Sequence, residues 1–358
     1  MKSLLAVGRY LIVRTLMVGI TLVVGCYLIV IIMNMGGKLD DVRRAEIRSN
    51  VASAIFLDPS NRGIPADALK VMVDELAELE YERLGLDRPF FPWRSLEYLF
   101  TALSLKLGTA EQLTSDTGSR SVARILSERL PATLVLFGTS NLLLFFLAIQ
   151  FALFLSRRYG SLVDRTMVGL APLSSAPGWF YGIFLILIFA AVLRVLPWGG
   201  LVQVPPPDTA PAYALSLLEH MILPVLAITI GALFANVYRW RTFFLIYSSE
   251  DYVELAKAKG LSARGIQRRY IMRPTLPTII TSLMLILIGT WQGQIILETV
   301  FNWPGLGRQY LAAVNLNDTP VILGTLVIYG YLLAGTLLLL EFIYALVDPR
   351  VRVGGGKV

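Results

Sequence analysis

Residues 132–156 read ATLVLFGTSNLLLFFLAIQFALFLS, a run without an Asp, Glu, Lys or Arg. A helix of about 20 residues, rising about 1.5 Å per residue, crosses a hydrocarbon core of about 30 Å. Lipid offers no partner to an open backbone, so a run of this length and composition predicts a spanning helix. Five more stretches, 15–33, 166–193, 221–238, 274–297 and 319–340, carry no formal charge either. Over 358 residues the chain is 55% hydrophobic and 16% charged. Soluble domains carry about 25% charged residues. The reading is an all-α polytopic membrane protein with six transmembrane helices.

The net charge of +7 is placed for a membrane rather than for nucleic acid. Lys2, Arg9 and Arg14 precede the first span. Arg157, Arg158 and Arg165 lie between the second and third. Arg239, Arg241, Lys257, Lys259, Arg264, Arg268, Arg269 and Arg273 surround the link from fourth to fifth, and Arg350, Arg352 and Lys357 follow the sixth. The alternate links are nearly bare: 195–213 has no Lys or Arg, and 298–318 has only Arg308. This asymmetry predicts cytoplasmic termini. No basic cluster interleaves with aromatics on a soluble segment, so a nucleic-acid partner is not expected. Cys26 is the only cysteine. It follows Val23-Val24-Gly25 in a lipoprotein-like context. The apolar run continues to Met33, which favours a retained first span over a cleaved signal.

These signals divide the chain into residues 1–33, the N-terminus and first span; 34–129, an extracytoplasmic helical segment; 130–347, a five-helix core; and a tail, 348–358. Within the segment 34–129, Pro65 opens an expected helix to about Glu82. Its apolar stripe is Leu69, Met72, Val73, Leu76 and Leu79, and Gly85 is its C-cap. Stretches 96–107 and 121–130 read as amphipathic. The link 195–213, with Pro197, Pro205, Pro206, Pro207 and Pro211, is not a regular helix.

The cytoplasmic link, including 248–273, reads as two short helices. Ser248 with Asp251 gives a capping-box-like start. Glu250 and Asp251 suit the positive helix end, and Lys257 and Lys259 the negative one. Gly260 sits where a left-handed cap is needed, and Ser262 caps a second helix. Tyr252, Leu255, Ala256 and Lys259 share one face. Small Ala256 and Ala258 allow close approach of a partner. A short amphipathic helix held between two spans suits insertion into a groove.

Glu254-Leu-Ala256-x-x-x-Gly260 resembles the Glu-Ala-Ala-x-x-x-Gly loop of bacterial ABC importer permeases, with Leu255 replacing the first Ala. The tail of that general motif is not kept, since Tyr270, Met272 and Arg273 stand there. The dipeptide/oligopeptide/nickel branch (B-type subunit) is matched more fully. Its form is followed by Glu250-Asp-Tyr-Val253, by Ala256-Lys-Ala-Lys-Gly-Leu261 and by Pro277. Glu298-Thr-Val-Phe-Asn-Trp-Pro-Gly-Leu-Gly307 resembles the branch's Glu-Thr-Val-Phe-x-Trp-Pro-Gly-Leu-Gly signature. Asp318-Thr-Pro320, Asp348-Pro-Arg350, Leu84–Pro89, Glu128–Thr133 and His220–Pro224 fall in family order. Leu107-Gly-Thr109 departs by continuing Ala-Glu. The resemblance covers residues 9–352.

The resemblance implies the type I ABC importer permease fold and a transport subunit without an ATPase site. Two related permeases would form the pathway in a bacterial or archaeal cytoplasmic membrane. Two cytoplasmic ATPases would bind ATP and Mg, and an external solute-binding protein would deliver substrate. It assigns ATPase coupling to Tyr252, Glu254, Leu255, Ala256, Ala258, Gly260 and Leu261. Glu298, Trp303, Pro304, Gly305 and Gly307 become an outer turn near the gate, with Trp303 at the membrane boundary and Gly305 in a turn conformation. Ser174, Ser175, Trp179, Asn236, Trp291, Gln292 and Gln294 are pathway candidates and equally packing residues. This chain needs no cofactor of its own: Gly354-Gly-Gly-Lys357 lacks the spacing and following helix of a P-loop. An ion-coupled transporter is the alternative. It needs ionisable groups at mid-membrane, and the six windows have none. One His and one Cys supply neither a metal set nor a triad.

Overall fold

The computed structural model describes residues 2–290 and 293–347. Its helices are α1 (Lys2–Met33), α2 (Lys38–Leu57), α3 (Ala66–Arg83), α4 (Ser95–Leu103), α5 (Val122–Arg157), α6 (Leu162–Gly169) and α7 (Gly178–Leu185). They continue with α8 (Ala210–Ser248), α9 (Asp251–Ala258), α10 (Ala263–Ile266), α11 (Arg273–Thr290), α12 (Ile295–Val300), α13 (Leu306–Asn315) and α14 (Thr319–Val347). No strand forms among the described residues. Among the described residues, five helices are long and apolar enough to cross a membrane: 8–33, 122–157, 210–248, 263–287 and 319–343.

The expected third span is the exception. Residues 162–175 and 178–192 form two arms bent by 95°, so the total reaches six only if the pair counts as one span. Ala176 and Pro177 hold extended backbone at the break, where proline lacks the N–H a continuous helix needs. The fourth span is longer than its charge-free window. It starts at Ala210 and carries Glu219, His220, Arg239 and Arg241. His220 is buried, and its Nδ1 lies 2.7 Å from Ser216 O. The helix capped by Ser262 does not stop at Pro274 but runs on as the fifth span, 263–287. Wide turns at 267–272 lead into α11, and Thr275 Oγ1 donates to the carbonyls of Ile271 and Met272 at 3.0 Å.

The chain forms two units. One comprises the described residues within 1–15, 129–309 and 335–358. Its core joins Phe145, Ala148, Ala152 and Leu155 of α5 with Val237, Trp240 and Phe244 of α8, and with Val253, Ala256, Ile266 and Ile271. A second cluster joins Ala132, Leu136 and Phe137 with Leu223, Ala227, Leu297, Phe301 and Trp303. α7 and α8 meet at glycines. A Cβ on Gly231 would lie 2.9 Å from Gly178 Cα, and one on Gly182 would lie 2.7 Å from the Phe301 ring. Small residues are what let helix backbones approach this closely in lipid.

The other unit comprises residues 16–128 and 310–334. α2 and α3 pack through Ile47, Ile55, Leu69, Val73, Ala77 and Tyr81. The buried face of α3 thus runs at four-residue steps, while Leu76 and Leu79 of the expected stripe are exposed. Residues 121–130, read as a separate amphipathic stretch, are almost wholly the start of α5. α4 packs against Cys26, Val30, Leu39 and Val327.

The backbone at the departure Ala110–Glu111 is held by a buried carboxylate. Asp318 is fully buried, and its carboxylate accepts from Glu111 N (3.2 Å), Gln112 N (2.8 Å) and Leu113 N (2.9 Å). One side chain therefore holds three successive backbone donors. Asp318→Ala strips them, at about 1–3 kcal/mol for each donor left buried. Tryptic cleavage after Arg120 is expected to speed about tenfold or more in the purified variant, a factor that 1.4 kcal/mol supplies. An unchanged cleavage rate would refute the pinning role.

Candidate functional site

The link between α8 and α11 places the coupling candidates. α9 starts after Glu250, which has extended backbone and makes no side-chain cap. The expected Ser248 cap is not formed. Ser248 is the last residue of α8, and its Oγ donates to Phe244 O at 2.7 Å. At the other end Gly260 has φ +74, its N donates to Lys257 O at 2.9 Å, and Leu261 N donates to Ala256 O at 3.3 Å. This is a left-handed cap that glycine adopts without penalty. Ser262 Oγ accepts from Gly265 N at 3.2 Å, capping α10 as read from sequence.

Ala256 is 2% exposed and belongs, with Val253, to the chain's own core against Phe244, Ile266 and Ile271. It is therefore unavailable to a partner, although the sequence placed it on the docking face. Helical spacing alone does not say which of two apolar edges turns inward. The outward edge carries Leu255 (57% exposed), Tyr252 and Leu261. Ala258 is exposed beside them, and Glu254 pairs with Lys257 at 3.2 Å.

The signature at 298–307 folds around a carboxylate. Glu298 is fully buried. Its Oε1 accepts from Thr133 Oγ1 at 2.9 Å, and its Oε2 accepts from Arg308 N at 2.8 Å. Gly307 N also donates to it. Thr133 Oγ1 accepts in turn from Leu306 N at 2.7 Å. Glu298 lies beyond the fifth spanning helix. Burial pushes its carboxyl above the usual carboxylate range, against the opposing pull of the Arg308, Thr133 and Gly307 hydrogen bonds.

Two expectations change here. Trp303 is fully buried, and its Nε1 donates to Ala132 O at 2.8 Å, so its ring is held by protein rather than turned to lipid. Gly305 is not held by a left-handed backbone. It is required for space, because a Cβ there would lie 2.5 Å from both Glu298 Oε1 and Thr133 Oγ1. Gly307 is crowded by the same carboxylate, at 3.0 Å. Pro304 lies in the turn between α12 and α13, which breaks the helix as expected. Phe301 O accepts from Gly200 N at 2.9 Å, tying this turn to the proline-rich link.

Among the pathway candidates, Ser174 Oγ accepts from Ala235 N at 3.2 Å, which brings the bend of the broken span beside Asn236. Asn236 is half-buried and bonded to Ala232 O and Arg239. Ser175 is exposed, and Trp179 packs against the core around Phe301. Gln294 is exposed at the start of α12. Trp291 and Gln292 lie outside the described residues, as does Asp348-Pro-Arg350.

A group the sequence reading missed is the buried pair Asp164–Arg241. Arg241 Nη2 donates to Asp164 Oδ2 at 2.6 Å, and Nε donates to Oδ1. Asp164 stands just before a charge-free window and Arg241 just after another. Only the fold brings them together.

Long apolar helices, a broken span and a capped helix exposed between two spans are the architecture of a multi-pass membrane protein. Residues 145–353 match the family described as binding-protein-dependent transport system inner membrane component. The chain belongs to that family, and is an ABC importer permease subunit. It is 30% identical over 319 residues to the probable D,D-dipeptide transport system permease protein DdpB of Escherichia coli K12, covering 82% of this chain and 91% of the relative. It is 28% identical over 272 residues to a putative peptide permease protein of Brucella suis biovar 1, covering 76% and 82%. It is 26% identical over 301 residues to the oligopeptide transport system permease protein AppB of Bacillus subtilis 168, covering 81% and 91%. An importer of this family works in a membrane with ATPase and binding-protein components.

Proposed function

We propose that this chain forms half of the translocation pathway for peptides or a related small solute, paired with a second permease. Relatives named for peptide, dipeptide and oligopeptide transport support the solute class. The charge asymmetry supports cytoplasmic termini in a bacterial or archaeal inner membrane. ATP and Mg belong to two partner ATPases, whose closure would switch the pathway between its openings. The ion-coupled alternative has no observation in its favour.

The observation that carries the coupling is α9. Its inner edge, Val253 and Ala256, is locked into the permease core, while Tyr252, Leu255 and Leu261 stand apolar on the outside. A helix fixed from below and apolar above transmits movement of whatever grips it. Burying one leucine contributes about 2 kcal/mol, or about thirtyfold in affinity. Leu255→Asp and Tyr252→Asp are expected to reach the membrane normally. Each should lose at least that factor in ATPase copurification from detergent, and most solute uptake in vesicles. Wild-type copurification and uptake in both variants would sink the assignment of α9.

A further inference from the structure

The segment before and through α4 has its surface arranged in three directions. Ser95, Leu99 and Ala102 are buried against Cys26, Val30, Leu39 and Val327. At about 100° per residue, a second edge carries Arg94, Tyr98 and Thr101. Arg94 pairs with Asp40 at 2.6 Å, Tyr98 Oη donates to Asp40 Oδ1 at 2.7 Å, and Glu97 shares a pocket with Arg43, Glu46 and Lys106. The third direction carries Trp93 (62% exposed), Leu96 (41%) and Phe100 (69%), with Phe91 (56%) just before them. On a helix in water the aromatic residues turn inward and the charges outward. Here Arg94 turns in to an ion pair, and three aromatic rings and a leucine turn out.

The depth of α4 says what covers that stripe. Tyr27 Oη and Ser95 Oγ lie 3.1 Å apart, and Tyr331 Oη donates to Leu103 O. These contacts fasten both ends of α4. Tyr27 lies six residues before the end of α1, about 9 Å along a helix, and Tyr331 lies twelve residues into α14, about 18 Å. Both tyrosines sit inside charge-free windows of spanning helices. Ile20, Val24, Leu28 and Ile32 of α1 are also exposed and apolar, so the stripe continues a surface already facing hydrocarbon.

We propose that α4 and the turn before it lie in the outer leaflet of the bilayer, with Phe91, Trp93, Leu96 and Phe100 against lipid. Trp93 takes the interfacial place an amphipathic ring prefers. Glu97 and Thr101, on the exposed flank of α4, face the headgroups. Part of the segment between the first two spans is thus membrane-embedded rather than water-exposed. The proposal rests on the membrane reading and is independent of the transported solute and of α9.

The test uses the assembled importer in lipid bilayers, with Cys26→Ala as background. Single cysteines Trp93→Cys, Leu96→Cys and Phe100→Cys receive a nitroxide label. Collision with oxygen is compared with collision with a neutral, water-soluble nickel chelate. Leu28→Cys is the lipid control and Glu75→Cys, on exposed α3, the water control. The oxygen-to-nickel ratio at 93, 96 and 100 is expected to match Leu28 and exceed Glu75 by roughly tenfold, because a polar complex is excluded from hydrocarbon. A ratio like that of Glu75 would overturn the proposal in favour of a water-facing helix. Low collision with both probes would overturn it in favour of a protein covering the stripe. In either case a lipid-like Leu28 leaves the membrane reading standing.

Discussion

Gly305→Ala is expected to abolish most uptake while the protein still reaches the membrane. The added methyl would lie 2.5 Å from Glu298 Oε1 and from Thr133 Oγ1, both within a closed hydrogen-bonded cradle. Neither is a flexible end with room to retreat. Glu298 is fully buried and tied to Arg308 N, and Thr133 is fully buried and tied to Leu306 N. Overpacking costs about 1–3 kcal/mol. Each buried donor left unpaired as the carboxylate moves adds about 1–3 kcal/mol. Gly19→Ala is the control, since nothing lies within 4 Å of a Cβ there. Alanine in a helix is better than glycine by about 1 kcal/mol, so that variant should be neutral or slightly stabilised. The checks are solute uptake in vesicles and thermal unfolding in detergent. Wild-type behaviour of Gly305→Ala in both would refute the cradle.

The same cradle separates charge from shape. Burial disfavours the ionised form of Glu298, so the negative charge is a cost that neighbouring hydrogen bonds offset. Glutamine keeps one oxygen for the Arg308 and Gly307 donors and offers its amide to Thr133 Oγ1. Glu298→Gln is therefore the mild change, and Glu298→Ala, which empties the cradle, the severe one.

The spans were legible because their cause is local. Long charge-free runs need no tertiary information to be read as helices in lipid. Gly260, Ser262 and the turn after Val300 were legible for the same reason, since caps and helix breaks are set by adjacent residues. Misplacements came where two distant segments decide the outcome. Ala256 turned inward because Phe244, Ile266 and Ile271 close over it. Trp303 turned inward because Ala132 O offers its indole a buried partner. Gly305 looked like a backbone requirement, but its neighbour is a carboxylate whose position depends on Thr133. Asp318 read as a motif letter until three backbone donors appeared around it.

Arg241→Ala is the second large effect expected, and it concerns how the broken span is held to the helix that leads to α9. Asp164 sits in the first turn of α6, where Ser161 Oγ accepts from Asp164 N at 3.3 Å and Gly160 N donates to Asp164 Oδ2 at 2.9 Å. Arg241 supplies two further donors in a forked geometry, and its guanidinium lies 5.2 Å from the Tyr159 ring centroid. Asp164 is 2% exposed. Removing one partner of a buried ion pair costs about 3–5 kcal/mol, because the other charge stays behind. Lysine cannot restore the fork, so Arg241→Lys should recover only part of the loss. Replacing both partners, Asp164→Leu with Arg241→Met, removes the stranded charge and should be milder than Arg241→Ala alone. Arg241 stands two turns before the end of α8, between Trp240 and Phe244, which fill the core beneath α9. Loosening it should therefore lower solute transported per ATP hydrolysed more than it lowers ATPase binding. Denaturant unfolding in mixed micelles and the transport-to-hydrolysis ratio are the two readouts. If Arg241→Ala unfolds within about 0.5 kcal/mol of wild type, as an ordinary surface change does, the pair holds nothing. If stability falls but the ratio does not, the pair fixes the fold and has no part in coupling.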